Sequence, residues 1–371
     1  MNDSTEEMLN RYLSEQIITY IGNKRKLLPY IERTIIDICR EMDTDRLVCS
    51  DLFSGSGIVS RMMKKYSSMI ITNDMEDYSK IINECYLTNL DEFDDNLYGL
   101  YKNKLDENCQ NLHRGIIADN YAPVDDQNIL DGERAFYTTR NAMYIDTAMD
   151  FIESEIPFDY RKFFIAPLLY EASVHANTSG VFKGFYKNSH TGIGQYGGDG
   201  RNALQRILGD ISIKKPVLSP YSAEHVSMQG DANTIVSQIP HADITYLDPP
   251  YNQHGYGSNY FMLNTILHHR LGDKLSKVSG IPHDWNRSEY NKKASALESM
   301  NRLIAGLDSE YIIISYNSEG FITKDEMEDM LMEYGTFKSN EIQYNTFRGS
   351  RNLNSRSLYV NEYLFIVHKN S

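Results

Sequence analysis

The sequence predicts an α/β fold: a parallel sheet with crossover helices, interrupted by an insertion. Three observations predict it. Two short apolar runs, 46–53 and 69–74, reach an acid at Asp51 and Asp74, and a helical stretch follows each. Strand–helix–strand spacing of this kind favours parallel pairing. A third apolar run, ADITYL at 242–247, ends in Asp248-Pro249-Pro250-Tyr251. Between the second and third runs lies a stretch near 131–225 that does not continue the alternation.

The elements follow in order. Residues 1–15 read as a short polar lead-in. Residues 26–42 carry Leu28, Ile31, Ile35, Ile38 and Met42 at helical spacing. RLVCSDLF is a strand, a Gly/Ser turn follows, and IVSRMMKKY is a helix. MIITND is the second strand, with a helix from Tyr78 to Asn89 behind it. Residues 91–133 read as helix plus acidic loop. Within 147–178, FFIAPLLYEASVHA has an amphipathic helical pattern. Residues 180–202, rich in Gly, aromatics and base, form a long loop or irregular β-region, the least core-like part of the chain. YIIISY at 311–316 is a strand, and 341–347 with 358–367 form a closing pair. The expected division is a catalytic part at 1–130 and 226–371, with 131–225 inserted.

Composition narrows the function. The chain has 371 residues, 41% hydrophobic and 24% charged, which suits a folded core and excludes general disorder. No apolar run approaches the roughly 20 residues of a membrane span. The polar, acidic N-terminus is unlike a signal peptide, so a cytoplasmic location is expected. Four cysteines, Cys39, Cys49, Cys85 and Cys109, form no CxxC pair, and neither a zinc site nor a disulfide framework is expected. The net charge of −14 argues by itself against a polyanion partner. Its distribution does not. From Asp91 to Glu133 there are 11 acids and 3 bases, whereas Gly180 to Pro220 holds 6 Lys/Arg and 2 acids. Three arginines and no acid lie between Gln343 and Ser357.

The sharpest chemical feature is Asp248-Pro249-Pro250-Tyr251. Two prolines end a ladder, so a plain strand terminus is one reading. The other is a site. Two fixed φ angles set the direction of the carbonyls. An acid and a carbonyl then accept from one –NH2 group while the aromatic ring stacks on its heterocycle. Such a grip localises the lone pair of a conjugated amine. The loop Asp51-Leu52-Phe53-Ser54-Gly55-Ser56-Gly57 allows a tight turn and close approach of a ligand, with Asp51 placed for an ammonium. Position 60 is Ser where a dinucleotide fingerprint has its third glycine, which favours a smaller adenosyl ligand over NAD. Asp74 is either a ribose-binding acid or a helix N-cap. Tyr20-Ile21-Gly22-Asn23-Lys24-Arg25-Lys26 reads alone as the basic lead into a helix, and Asp231 of GDA as a turn acid.

Together these motifs resemble the Dam-like, alpha-class family of adenine-N6 DNA methyltransferases. YIGNKRKLL, DLFSGSG, ITND, GDA, DPPY, ISYNSEG (314–320) and YNTFRGSRN (344–352) match in the family's order, covering roughly 17–90 and 226–367. The resemblance implies a Rossmann-like methyltransferase sheet with helices on both faces, an inserted target-recognition region, S-adenosylmethionine as cofactor and double-stranded DNA as substrate. It further implies that Tyr20 and Lys24 contact the cofactor, that Asp51 and Phe53 to Gly57 hold its methionine part, that Asp74 binds its ribose and that Asp231 faces its adenine. Asp248 and the Pro249 carbonyl, stiffened by Pro250, would take the N6 amine, with Tyr251 stacking on an extruded base and no metal needed. A separate restriction endonuclease is a candidate partner.

DNA contacts would come from Lys183, Lys187, Arg201, Arg206, Lys214 and Lys215, interleaved with Phe182, Phe185, Tyr186 and Tyr196; a solvated loop with a satellite core is the alternative. Arg348 and Arg351 are a second phosphate clamp or ordinary surface ion pairs. The rival functions are methylation of cytosine N4 or RNA adenine, and a catalytically inactive DNA-binding relic.

Overall fold

The computed structural model describes residues 9, 11–15, 17–18, 22, 24–345 and 359–370. Seven strands form one sheet in the order β3-β2-β1-β4-β5-β7-β6. They are β1 (Leu47–Asp51), β2 (Ser67–Asp74), β3 (Glu224–Gln229), β4 (Ala242–Leu247), β5 (Ser309–Asn317), β6 (Gly335–Asn345) and β7 (Tyr359–Lys369). The pairings among β1 to β5 are parallel, and β7 runs antiparallel to both β5 and β6. This is the expected Rossmann-like sheet. The strand order reverses between β1 and β4, and in open α/β sheets ligands bind at the carboxyl ends beside such a reversal.

The helices of this sheet unit are α1 (Leu28–Glu41), α2 (Ile58–Met63) and α3 (Asp77–Tyr86). α1 buries Ile31, Ile35 and Ile38, three of the residues whose spacing predicts it. One sheet face carries Leu52, Leu247, Ile312, Ile314, Phe365 and Val367 into a core with Met300, Leu303 and Met327 from later helices. Side chains alternate along a strand, so the other face receives Asp51, Tyr246, Ser315, Asn317 and Glu362. β3 escapes the sequence reading because EHVSMQ is an exposed edge strand with little apolar pattern.

The remaining chain forms a second, mostly helical unit. It comprises Thr88–Leu218 and Tyr256–Asn286 with the chain up to Gly22; the sheet unit comprises Asn23–Leu87, Ser219–Gly255 and Arg287–Ser371. These bounds differ from 131–225. The acidic stretch after residue 91 folds as α4 (Asp95–Asn108) and α5 (Ile116–Tyr121) and packs with α6 (Thr139–Glu155) and α7 (Lys162–Val174). α7 is not amphipathic as its sequence suggests. Phe163 to Leu169 are all buried, including Pro167 inside the helix. A short helix α8 (Leu204–Ile207) follows.

The 180–202 segment makes loops and a single bridge from Lys187 to Gly194. It is more core-like than its composition implies. Phe182 and Phe185 are buried against Phe136, and the Tyr196 hydroxyl donates to Asp126 and to the Tyr137 carbonyl. Three aromatics read as DNA-stacking candidates are therefore occupied internally. Among the described residues no helix is long and apolar enough to cross a membrane, and no group of three His, Cys, Asp or Glu side chains could hold a metal.

Candidate active site

Four strand ends assemble the site in the sheet unit. β1 delivers Asp51 and the 52–57 loop, β2 delivers Asp74, β3 leads to Asp231 and β4 leads to Asp248. Backbone hydrogen bonds lash the ends together. Ser54 N–H donates to the Asn73 carbonyl at 3.0 Å and Gly230 N–H to the Asp74 carbonyl at 2.9 Å. The Asn73 amide donates to the Leu52 and Gly230 carbonyls. Within ITND, a polar residue one place before the acid is the only sequence signal of Asn73.

Asp51 is 1% exposed. Its Oδ2 accepts from the Ser60 hydroxyl at 2.6 Å, so the serine that replaces a third glycine fixes the carboxylate. Its Oδ1 is buried and closes no hydrogen bond among the described residues. Burial pushes this carboxyl up to about 7; the Ser60 hydroxyl and the Phe53 backbone N–H lower it, while Asp248 and Asp74 raise it. An orphaned buried carboxylate oxygen costs free energy until a donor arrives. An α-ammonium is such a donor, and the residues present fit the methionine end of S-adenosylmethionine.

The loop itself is held from below. Gly55 N–H donates to Asp74 Oδ2 at 2.8 Å, and Glu76 N–H donates to Asp74 Oδ1 at 2.9 Å. Glu76, not Asp74, stands at the N-cap position of α3, and Asp74 closes the turn before it. Burial lifts its carboxyl to about 6 against these backbone donors. The Ser79 hydroxyl donates to the Gly55 carbonyl. Gly57 has φ +72°, and a Cβ there would lie 2.6 Å from Asn83 Oδ1. A Gly57→Ala variant is therefore expected to lose about 1–2 kcal/mol of stability from left-handed backbone alone, more from the clash, and to bind cofactor more weakly. Thermal unfolding and a cofactor titration check this; a variant matching the parent in both would show that the loop adapts.

Phe53 packs edge-on to Tyr290 at 5.3 Å. The Tyr290 hydroxyl donates to Asn233 Oδ1, and Asp231 caps the helix of Asn233 by accepting from its N–H at 2.8 Å. Phe53 and Asp231 thus share one supported wall. Tyr290 lies in a segment without a recognisable motif, and sequence reasoning does not find it.

Asp248 meets Lys24. The ammonium lies 3.0 Å from Asp248 Oδ1 and also contacts Glu362 of β7. Lys24 is 5% exposed and Glu362 fully buried. Burial lowers the Lys24 pKa, but Asp248 and Glu362 outweigh it and hold the ammonium well above its ordinary value. Burial lifts Asp248 to about 6, with Lys24 opposing and Glu362 adding to the rise. Glu362 was missed. Its signal is an acid inside the apolar run LYVNEYLFIV, at a position whose parity points inward.

The chain after Asp248 is tied to the turn after β5. The Tyr251 carbonyl accepts from Phe321 N–H at 2.9 Å, and the Asn252 carbonyl accepts from the Asn291 amide. The Tyr251 ring meets Tyr316 edge-on at 6.5 Å. Gly320 is required there, since a Cβ would sit 2.3 Å from the Tyr316 ring.

The other expected site residues divide. Tyr20, Arg348 and Arg351 lie outside the described residues. In the helical unit, Lys183, Lys187 and Arg201 are exposed, and Lys187 also sits over the Phe185 ring. Arg206 does not face a polyanion: its guanidinium donates to the carbonyls of Val174, Ala176 and Thr178 at the end of α7. Lys214 pairs with Glu171 and Lys215 with Asp95.

The chain is similar to known proteins along most of its length. A family described as D12 class N6 adenine-specific DNA methyltransferase matches residues 20–330. The Type II methyltransferase M.NlaIII of Neisseria lactamica is 30% identical over 361 residues, 95% of this chain and 99% of its own. The Type II methyltransferase M.CviAII of Paramecium bursaria Chlorella virus 1 is 29% identical over 360 residues, 95% of this chain and 98% of its own. The Type II methyltransferase M.FokI of Planomicrobium okeanokoites is 26% identical over 367 residues, 94% of this chain and 52% of its own.

Proposed function

Because the chain belongs to the D12 class N6 adenine-specific DNA methyltransferase family, we propose that its four strand-end carboxylates hold S-adenosylmethionine and an extruded adenine of double-stranded DNA for direct methyl transfer. The observation that carries this reading is the buried Asp51 Oδ1, which has no hydrogen-bond partner among the described residues, on a carboxyl close enough to feel the Asp248 charge.

The cofactor supplies a methyl group on an electron-poor sulfonium. The chain's own residues do the rest. Asp51 takes the ammonium, and the Phe53 to Gly57 loop cradles the methionine part. Asp74 accepts from ribose hydroxyls through lone pairs that its backbone donors leave open. Asp231 and Phe53 face the cofactor's adenine. Asp248 and the Pro249 carbonyl accept the two hydrogens of the target N6 amine, which favours its pyramidal form and frees the lone pair. Positioning and fixed dipoles supply most of the acceleration. The methylated amine then gives its proton to water or Asp248. Lys24, proposed to contact the cofactor, has its ammonium at Asp248, and it would also hold that carboxylate.

Tyr251 stacks on the extruded base, and its tethered carbonyl and edge contact with Tyr316 fix its ring. Tyr251→Ala is expected to weaken the productive complex by about 1–3 kcal/mol, whereas Tyr251→Phe retains the ring and should keep most activity. Single-turnover rates on duplex substrate distinguish these; an inactive Phe variant would show that the hydroxyl takes part.

Lys183, Lys187 and Arg201 are the proposed phosphate contacts, together with Arg348 and Arg351. The named relatives are Type II methyltransferases, so a separate endonuclease cutting the same sequence is the proposed counterpart, and a cytoplasmic location with the genome is proposed. The test is mass spectrometry of nucleosides from duplex DNA incubated with the protein and S-adenosylmethionine. N6-methyladenine as the product supports the reading; N4-methylcytosine alone, or no product, removes it.

A further inference from the structure

Lys24 has two carboxylate partners, and they are not equivalent. Glu362 is fully buried on β7. Its Oε1 accepts from the Ser315 hydroxyl at 2.7 Å and its Oε2 from the Asn317 amide at 3.0 Å. Both donors come from alternate positions of β5, the strand paired with β7, so the carboxylate is held by two strands. Burial raises Glu362, but Lys24, Ser315 and Asn317 together leave it below the ordinary carboxylate range. Asp248 is more open, with a fifth of its side chain accessible, and its Oδ1 meets the ammonium at 3.0 Å.

A buried ammonium left with one carboxylate would close on it as a full ion pair and absorb its acceptor strength. Glu362 prevents that closure. We propose that Glu362 is a positioning residue for methyl transfer: by sharing the Lys24 ammonium it keeps Asp248 fixed but only partly neutralised, with acceptor capacity left for the target amine. The inference rests on the assignment of Asp248 to that amine. The groups acting on Asp248 are Lys24, Glu362 and Asp74, and Asp51, Tyr246 and Tyr251 are coupled to it. Of the carboxylates, Glu362 alone shares a counter-ion with it among the described residues.

The experiment is Glu362→Gln in the full chain, isosteric and without the charge. Three effects are expected together. The turnover number falls by at least about tenfold, because Lys24 closes on Asp248. The acid limb of the pH–rate profile moves to lower pH, because a negative charge that raises the Asp248 carboxyl is gone. KM for S-adenosylmethionine and Kd for DNA stay within about twofold, because neither ligand meets Glu362. A residue that merely braced the sheet would lower thermal stability and leave the acid limb in place.

An unchanged turnover number and profile would overturn the inference, as would a loss confined to KM. Should the Gln variant not fold, Glu362→Asp keeps the charge but draws it back from Lys24. Its turnover number is expected to fall likewise, and a parental value would overturn the inference. Asp248→Ala runs alongside. If that variant still methylates, the assignment of Asp248 has failed; if it is dead while the Glu362 variants are unaffected, only the role of Glu362 has failed.

Discussion

Replacing Asp248 with alanine is expected to remove methyl transfer by at least about a thousandfold while DNA binding remains. The carboxylate is one of two acceptors for the amine, and the Pro249 carbonyl alone does not hold both hydrogens. The fold should tolerate the change, because Lys24 keeps Glu362 as its counter-ion and no lone buried charge is created. Binding should stay sensitive to salt, since phosphate contacts supply it. Rapid-quench methylation and a fluorescence titration at two salt concentrations measure both halves. Methylation at the parental rate would remove Asp248 from the mechanism. In the parent protein, activity should fall as pH drops through about 6, where the Asp248 carboxyl takes up a proton and ceases to be a pure acceptor.

Asp51→Asn is expected to weaken S-adenosylmethionine binding by about 3 kcal/mol, roughly a hundredfold in Kd. The amide keeps the Ser60 contact but presents no charge to the cofactor ammonium. The parent should show a pH signature that the variant lacks. The free carboxyl, pushed up to about 7, must lose its proton to receive the ammonium, so affinity falls as pH drops through about 7. The sign for the ligand-free protein is opposite. A carboxyl raised in the folded state adds stability below its unfolded value of 3.8 and loses that contribution as pH rises through about 7. Calorimetry in two buffers of different ionisation heat detects the released proton. An affinity independent of pH, or an Asn variant that binds as tightly as the parent, would move the ammonium elsewhere.

Much of the sheet and its site is legible in the sequence, for a physical reason. Parallel strands buried on both faces read as apolar runs, and their carboxyl ends read as acids where a ligand binds. Asp51, Asp74 and Asp248 stand out by that contrast. The supporting residues do not. Ser60, Asn73 and Asn83 act through buried side-chain geometry, which no local pattern encodes. Glu362 and Lys24 are 338 residues apart, and no local pattern announces their contact. The basic segment misleads for a related reason. Composition gives its charge, but whether an arginine faces solvent or three backbone carbonyls, as Arg206 does, depends on where α7 ends.

One consequence follows from the placement of β7 between β5 and β6. The strand follows β6 in sequence, yet it occupies an interior slot and carries the acid that steadies Lys24. A nascent chain halted before Tyr359 would have β6 stranded with no neighbour and Lys24 facing Asp248 alone. Products that lack this strand would then be silent rather than partly active.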